Sequence, residues 1–488
     1  MSIADLANMD AFLIRAVASS IVLLASVVVC AAVSVPKRRQ WVLLIGCYGL
    51  YVMWGAWFAA VLGISTIINF LIGRWLRRHP TRLPLAIGIL FNLTLLASFK
   101  YLPELSITLP FSSLHTFAKI VLPLGISFWT FQAMSYLFDL YREEDLDPDF
   151  VEFALYMAFF PVVIAGPVCR LPEMLPQFRK LEKTQLVSIG AGISRIGTGL
   201  LMMQIAKLLG QGIRGGDGIT TGFDHASQWS GTDVWCLAFG YGLQLFFDFA
   251  GYSHIAIGTA QALGLTLPEN FRRPFASTTP SVFWTRWHMS LSFWIRDYVF
   301  LPLAVLRREI WWRNLVLVFS MVLFGVWHKA SLLFVCWGAY HGALLVLHRL
   351  WQSLQRKLNW EPGPGLWTPF SWFGTMSLIS FGWLFFRANS ITQVKQMCSA
   401  VLSTNYDQHF LSGSLYGLVF GVAVGYALIA LAIDTLDDAE TEGGTRLAAF
   451  ARNRWYWIPT MYMLLLIFVL VATSAQGVDA VQLMYRNF

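Results

Sequence analysis

The sequence predicts an all-α membrane protein that crosses the bilayer many times. Its 488 residues are 57% hydrophobic and only 13% charged, whereas soluble proteins carry roughly 25% charged residues. Apolar runs of about 20 residues, the length of a membrane-spanning helix, recur from residue 11 to residue 475. Such near-continuous runs favour helices over strands, because in lipid every backbone polar group must be satisfied internally.

The charged residues predict how the chain is oriented. The net charge of +8 fits basic cytosolic loops and points neither to nucleic acid nor to a particular substrate. The first run, Ala11–Val35, is too long for a cleavable signal peptide. It precedes Lys37, Arg38 and Arg39, so the N-terminus is expected on the extracytoplasmic side. A second basic cluster at residues 74–82 is expected on the same side as the first.

The six cysteines are scattered singly along the chain, and no two have the Cys-x-x-Cys spacing. This pattern indicates neither a disulfide framework nor a metal cage. We therefore predict no bound metal.

The first half of the chain is predicted to contain both whole and broken helices. Trp41–Ile72 is too long for one span and is expected to form two helices that turn near Gly55. Leu83–Leu102 forms the next span. The runs Phe117–Tyr141 and Phe150–Arg170 contain prolines and glycines, which break helices. At membrane depth the freed backbone must line protein or water, and the second run can enter and leave on one side as a re-entrant element.

The second half begins with two further helices, Ser188–Ile213 and Val234–Leu263, joined by a polar, glycine-rich link. On the second of these, Asp248 and Tyr252 belong to a polar stripe at roughly helical spacing. With neither an internal repeat nor a domain boundary, we predict a single integral-membrane domain over residues 1–488. A charged, exposed loop, Asp434 to Arg454, is expected between the last two of three later apolar runs, 370–387, 415–433 and 455–474.

The polar residues best suited to chemistry lie between Phe283 and His348. Three histidines there, His288, His328 and His341, stand among residues that otherwise read as membrane-buried. Polar groups at bilayer depth are costly and persist mainly where they face a cavity or each other. A basic loop separates the first two histidines, which places them on different helices. A helix break directly after the second would fold the next segment back as a hairpin.

The chemistry available to these histidines is proton transfer. Histidine titrates near neutral pH, and a neutral imidazole can take a proton from an alcohol, which then attacks an activated acyl group. The chain has no Gly-x-Ser-x-Gly turn for a serine nucleophile and no His-Glu-x-x-His zinc motif. The alternative is structural. A membrane histidine often makes an interhelical hydrogen bond, the interpretation we favour for His348, and the many tryptophans can be interface anchors.

Seven short segments carry a resemblance to a known family. They are Leu122–Phe128, Ala165–Pro167, Phe247–Ser253, Pro268–Phe271, Phe283–Tyr298, Gly325–His328 and Trp337–Gly342. In this order they resemble the motifs of the membrane-bound O-acyltransferase (MBOAT) family, specifically its bacterial alginate O-acetyltransferase branch. Each is weak alone, and together they are specific over about residues 40–350. The C-terminal helices at 370–475 match only in hydropathy.

The resemblance implies a fold and a reaction. The family fold is a ring of about 11 to 13 transmembrane and re-entrant helices around a central tunnel, where a cytosolic donor and an extracytoplasmic acceptor meet. His328 would be the general base on the acceptor hydroxyl, and His288 would orient or polarise the reacting groups. The protein would be a multi-pass enzyme of the bacterial inner membrane that transfers an acetyl or other short acyl group to an exopolysaccharide.

The resemblance also implies the partners of the reaction. The donor would be acetyl-CoA or another acyl thioester, taken as a substrate, with no bound cofactor. Periplasmic companion acetyltransferase proteins would be partners. Twelve further residues are candidates for binding donor or acceptor or for lining the tunnel, although topology-setting charge explains the basic ones equally well. They are Asp248, Tyr252, Asn270, Trp284, Arg286, Trp287, Ser290, Arg296, Asp297, Trp327, Lys329 and His341.

Two departures from the branch leave the substrate open. Lys329 stands where the branch usually has glycine, and His254 where it often has an acidic residue. One alternative is transfer of D-alanine or another acyl group to teichoic acid, peptidoglycan or lipid through a carrier protein. Another is translocation of acyl groups for a separate periplasmic transferase. A transporter would show paired inverted halves, and the sequence shows no such symmetry.

Overall fold

Every regular element that the structure describes is a helix. The structure is a computed structural model that describes residues 35–103, 121–163, 166–181, 186–213, 216–224, 228–360, 364–403 and 406–442, and single positions 22, 25, 26, 28, 29, 32, 33 and 106. Within these ranges, seven helices are long and apolar enough to cross a membrane. The chain is therefore an all-α polytopic membrane protein, as predicted. The ring, the tunnel and the total of 11 to 13 elements stay predictions.

The helices are numbered in chain order. Those of the first half are α1 Pro36–Trp54, α2 Ala56–Arg78, α3 Arg82–Lys100, α4 Ile126–Tyr141, α5 Phe150–Ala158, α6 Phe160–Val163, α7 Leu171–Arg179, α8 Leu186–Gln211, α9 Ile219–Asp224 and α10 Gly231–Ala262. Those of the second half are α11 Pro280–Trp284, α12 Met289–Ile295, α13 Leu301–Ala304, α14 Ile310–His328, α15 Leu332–Lys357, α16 Pro364–Arg387, α17 Ile391–Leu402 and α18 Gly413–Glu442. A single π-helical turn, Arg296–Phe300, joins α12 to α13.

The predicted helix breaks in the first half are confirmed. The chain turns between α1 and α2 at Gly55, as expected. Residues 121–125 are not helical, and α4 begins only after Gly125, whose φ of +70° favours glycine. A Cβ at Gly125 would lie 1.9 Å from the Val163 carbonyl oxygen, so this break also depends on close packing. The apolar run from Phe150 divides into α5 and α6, and non-helical backbone follows from residue 166 to residue 170.

Two expectations need correction. The last predicted span (455–474) lies outside the described residues, and of the first (Ala11–Val35) the structure describes only residues 22, 25, 26, 28, 29, 32, 33 and 35. Lys37 to Arg39 lie in the first turn of α1, and their cytosolic location stays a prediction. The glycine-rich link between α8 and α10 contains α9. The charged stretch from Asp434 continues α18 as far as Glu442. It contains Ala, Leu and Glu, which favour helix even where the stretch as a whole is charged. No apolar run predicted α17, whose Ser390 cap accepts a hydrogen bond from Gln393 N.

The chain forms two compact units, one from Met1–Ile196 and Ile255–Pro268, the other from Gly197–His254 and Glu269–Phe488. In the first, basic side chains at one end of α1, α2 and α7 pair with acidic side chains in the segment before α5 and in its first turn. Lys37 pairs with Asp149, Arg77 with Asp147, and Arg179 with Glu152. Burial raises the pKa of the Asp149 carboxyl, but hydrogen bonds from Lys37 and from backbone N–H groups hold it below its ordinary value.

The second unit contains the predicted hairpin. α14 ends at His328 and α15 begins at Leu332, so the break falls where the sequence placed it. The two helices pack along each other because glycines remove side chains from their contact. A Cβ at Gly325 would lie 2.1 Å from the Phe334 carbonyl oxygen, and one at Gly338 would lie 2.3 Å from that of Met321.

Gly325→Val is expected to lower the thermal unfolding midpoint and the folded yield of the detergent-purified protein. The valine side chain would force apart the α14–α15 backbones at the turn that positions His328, and overpacking typically costs about 1–3 kcal/mol. The matched control is Gly374→Ala on α16, where a Cβ would meet nothing within 4 Å. That variant should keep or raise the midpoint, since alanine favours helix over glycine. Equal midpoints for the two variants would contradict the packing argument.

Candidate active site

A small cavity with aromatic walls, in the second unit, contains both histidines to which the sequence assigned catalysis. Its side chains come from the segment before α12 and from four helices, α10, α14, α15 and α16. The cavity encloses about 10 Å³, roughly the space for one water molecule, so its walls are nearly in contact. The residues that line it are Leu245, Phe249, Trp287, His288, Phe324, His328, Trp337, Trp383 and Phe386.

His328 is the last residue of α14, and its side chain is buried. The Phe324 ring stacks on the imidazole with centroids 5.3 Å apart and planes at 17°. Phe386 meets it edge-on at 5.1 Å, and Trp337 lies perpendicular to it at 5.8 Å. Because rings from three helices surround it, the imidazole is held in one orientation within the cavity.

His288 is also buried, but it lies outside a helix. It precedes α12 and has a left-handed backbone conformation, φ 43° and ψ 51°. The two histidines belong to different helices, as the sequence predicted: His328 is the last residue of α14, and His288 is the N-cap of α12. A left-handed residue other than glycine costs about 1 kcal/mol or more, and such strain is found preferentially at functional sites. The Phe249 ring holds the imidazole edge-on at 4.6 Å.

Asn270 fixes the position of His288 through its side-chain amide. Its Oδ1 lies 3.1 Å from His288 Nδ1 and 2.8 Å from Ser290 Oγ, and its Nδ2 donates to Ser253 Oγ at 3.1 Å. An amide oxygen only accepts hydrogen bonds, so His288 Nδ1 must carry the proton. In the neutral ring, Nε2 is then the acceptor. This orientation of the amide follows from the hydrogen-bond network.

Backbone hydrogen bonds hold Asn270 against the segment that contains His288. Met289 N donates to Asn270 O at 2.8 Å, and Arg272 N donates to Arg286 O at 2.9 Å. The side chain of Asn270 is fully buried. The sequence indicated Asn270 as a candidate for binding substrate or lining the tunnel. In the structure its side chain contacts His288 and Ser290 and is not among the residues that line the cavity.

The other predicted site residues fall into three groups. Trp287 lines the cavity. Ser290 and Trp327 are buried close to it, since Ser290 is hydrogen-bonded to Asn270 and the Trp327 ring contacts His328. Trp284 and His341 are buried together, with ring centroids 5.3 Å apart. The remaining six do not line the cavity. Asp248 is buried, Tyr252, Arg286 and Asp297 are half-buried, and Arg296 and Lys329 are exposed, with Arg296 Nε 2.6 Å from Asp297 Oδ1.

Several cavity residues carried no signal that sequence reasoning could use. Trp383 and Phe386 lie on α16, a stretch whose aromatic residues read as ordinary packing. Phe324 likewise belongs to an apolar run, and Leu245 is an apolar residue between Gln244 and Asp248 of the polar stripe. Only the approach of α16 to α15 in the folded chain identifies them. Among the described residues no group of three or more His, Cys, Asp or Glu side chains could hold a metal ion.

Comparison with known proteins decides what kind of protein has this site. A sequence profile of the MBOAT, membrane-bound O-acyltransferase family, matches residues 108–386, a range that contains every residue lining the cavity. The chain belongs to the MBOAT family. It is therefore a membrane-bound O-acyltransferase, and its substrates include an acyl donor.

The relatives of this O-acyltransferase are named for acyl transfer to different polymers. It is 33% identical over 384 residues to a protein of Pseudomonas putida named a probable alginate O-acetylase, AlgI, and the match covers 75% of each chain. It is 30% identical over 406 residues to the peptidoglycan O-acetyltransferase of Helicobacter pylori, covering 75% of this chain and 74% of that one. The teichoic acid D-alanyltransferase of Bacillus subtilis is 30% identical over 281 residues, covering 54% and 68%.

Proposed function

We propose that this acyltransferase moves an acetyl or other short acyl group from a cytosolic thioester to a hydroxyl group of an extracytoplasmic polysaccharide. The observation that carries the proposal is the cavity in which His288 and His328 lie together among aromatic side chains. Buried imidazoles can exchange protons with an alcohol, and a water-poor cavity protects a reactive thioester from hydrolysis.

In the proposed reaction His328 is the general base. It takes the proton of the acceptor hydroxyl as the oxygen attacks the acyl carbonyl carbon, and a C–O bond forms. The C–S bond of the thioester then breaks, and the imidazolium returns the proton to the leaving thiolate. No metal or redox partner is needed to balance these steps.

His288 orients the acceptor in this proposal. Because Asn270 holds the proton on Nδ1, Nε2 can accept a hydrogen bond from an acceptor hydroxyl before the proton moves to His328. The left-handed backbone and the bonds to Asn270 keep this nitrogen in place, and such preorganisation removes reorientation from the barrier.

The donor and the acceptor are proposed on similarity. A match over 75% of the length of the alginate O-acetylase relative favours an acetyl group and an exopolysaccharide acceptor. Acetyl-CoA or another acetyl thioester as donor, periplasmic companion proteins as partners and the inner membrane as location are proposed from the family resemblance alone. The second candidate is acyl transfer to the cell wall. The peptidoglycan O-acetyltransferase relative matches over nearly the same length, and the D-alanyltransferase relative extends this candidate to teichoic acid and carrier-borne donors.

The test of the proposed function is the O-acetyl ester content of the host's polymers, measured by proton NMR. Extracellular polysaccharide and purified cell wall would be compared between the intact strain, a deletion strain and the complemented deletion. The proposal expects esters on the polysaccharide to disappear on deletion and to return on complementation. Loss confined to the cell wall would select the second candidate, and unchanged esters on both polymers would refute the acetyl-transfer proposal.

A further inference from the structure

A third buried histidine lies near the cavity but does not line it. His341 on α15 is fully buried, and neither of its ring nitrogens has a hydrogen-bond partner among the described residues. The same holds for the indole N–H groups of Trp284 and Trp337, which are at least nine-tenths buried. Most buried polar groups in proteins are satisfied, so each exception needs an explanation.

These three side chains form a cluster, which we call the His341 cluster. The ring centroid of His341 lies 4.9 Å from that of Trp337 and 5.3 Å from that of Trp284. Gly382 on α16 leaves room for it, since a Cβ there would come within 2.5 Å of His341 Nε2. The Trp337 ring also touches His328, at 5.8 Å and perpendicular. One indole therefore contacts both imidazoles and joins the cluster to the cavity.

The polar balance of the His341 cluster indicates the kind of ligand. A neutral imidazole supplies one N–H donor and one acceptor, and each indole supplies a donor only. The cluster thus offers three donors and a single acceptor. Each buried donor left unsatisfied costs about 1–3 kcal/mol, whereas an apolar residue at position 341 would avoid that cost. A group with hydrogen-bond-accepting oxygen atoms would satisfy it.

We propose that the His341 cluster binds an oxygen atom of a substrate during acyl transfer. The proposal rests on the proposed function. The oxygen belongs either to the acyl carbonyl of the thioester or to a hydroxyl of the acceptor sugar, and both accept hydrogen bonds. Because the Trp337 ring contacts both His341 and His328, an oxygen bound by the cluster would lie close to the group on which His328 acts. The cluster would then position the substrate without taking part in proton transfer.

The first test replaces His341 by leucine, which has a similar volume and no polar atom. The purified protein in lipid nanodiscs would be assayed for transfer of labelled acetyl groups from acetyl-CoA to isolated polysaccharide, and its thermal midpoint would be measured. The inference expects the transfer rate to fall by about tenfold to a hundredfold, the size expected for the loss of one buried hydrogen bond to the substrate, while the midpoint is kept or raised. Opposite changes in rate and stability separate a ligand-binding role from a structural one.

Two further variants complete the comparison. The control is Thr130→Val on α4, which removes a buried hydroxyl group. Like the nitrogens of the His341 cluster, this hydroxyl has no hydrogen-bond partner among the described residues. The variant should keep or raise the midpoint and leave the rate unchanged. Trp284→Phe removes one indole donor near His341 and should lower the rate. If the His341→Leu protein transfers acetyl at the wild-type rate, or if its midpoint drops because His341 is bonded within the protein, the inference is overturned.

The source of the oxygen can be identified in the same assay. Slow hydrolysis of acetyl-CoA without acceptor would fall in His341→Leu if the cluster binds the acyl carbonyl. Hydrolysis would persist, with a raised KM for polysaccharide, if the cluster binds the acceptor. Failure of the proposed function looks different, because the wild-type protein itself would then transfer no acetyl group to any polymer.

Discussion

Replacing His328 by alanine is expected to stop ester formation while the protein stays folded in the membrane. A general base contributes about 10²–10⁴-fold to a rate, and alanine has no group that can take the proton of the acceptor hydroxyl. The measurement is the O-acetyl content of the polysaccharide in a deletion strain complemented with His328→Ala, at matched membrane abundance. His328→Gln, which fills more of the space, should be equally inactive.

The control for this prediction is His348→Ala. His348 lies near the end of α15, and its Nδ1 is 2.8 Å from Ser281 Oγ, so it makes the structural hydrogen bond that the sequence interpretation favoured. Its removal should change ester content by less than about twofold, since an exposed or half-buried hydrogen bond contributes only about 1 kcal/mol. Comparable losses in the two variants would mean that histidine removal acts through the fold.

Asn270→Ala is expected to lower the transfer rate by about a hundredfold. The substitution removes the Asn270 oxygen that accepts from His288 Nδ1 and from the Ser290 hydroxyl. The proton is then no longer held on Nδ1 and can move to Nε2, the nitrogen proposed to face the acceptor hydroxyl. Loss of a residue that orients another functional side chain commonly costs 10–100-fold. The measurement is kcat of the purified protein with acetyl-CoA and polysaccharide, together with its pH dependence, which a purely structural loss would not shift.

Two variants separate orientation from general destabilisation. Ser253→Ala removes only the bond donated by Asn270 Nδ2, leaves the bonds to His288 and Ser290, and should cost less than about tenfold in kcat. Asn270→Asp keeps an acceptor for Nδ1 and should restore much of the rate lost in the alanine variant. If Ser253→Ala were as slow as Asn270→Ala, the orienting role of Asn270 would be wrong.

The sequence predicted those parts of the fold and site that depend on local chemistry. A proline followed by a glycine predicted the break before α4, and the polar residues after Trp327 predicted the turn of the hairpin. The motif histidines led directly to the cavity. These signals are local because a broken helix or a costly polar group at bilayer depth is visible within a few residues.

Other parts depend on contacts between distant segments. No spacing rule relates Asn270 to His288, because one lies in a loop and the other precedes a helix in left-handed conformation. Trp383 and Phe386 line the cavity only because α16 packs against α15, a contact between segments that the sequence pattern does not show. The buried Arg39 donates to the carbonyl oxygen of Leu181 at 2.8 Å, a bond that could not be foreseen from a basic cluster that reads as a cytosolic loop.

The most direct measurement of the central claim is acyl transfer by the protein in sealed proteoliposomes. Labelled acetyl-CoA would be enclosed inside, isolated polysaccharide would be added outside, and orientation would be controlled by an affinity tag. The proposal predicts label on the external polymer with wild-type protein and none above background with His328→Ala. Equal labelling by His328→Ala would contradict the role of the cavity. Absence of label with both proteins would contradict direct transfer across the membrane.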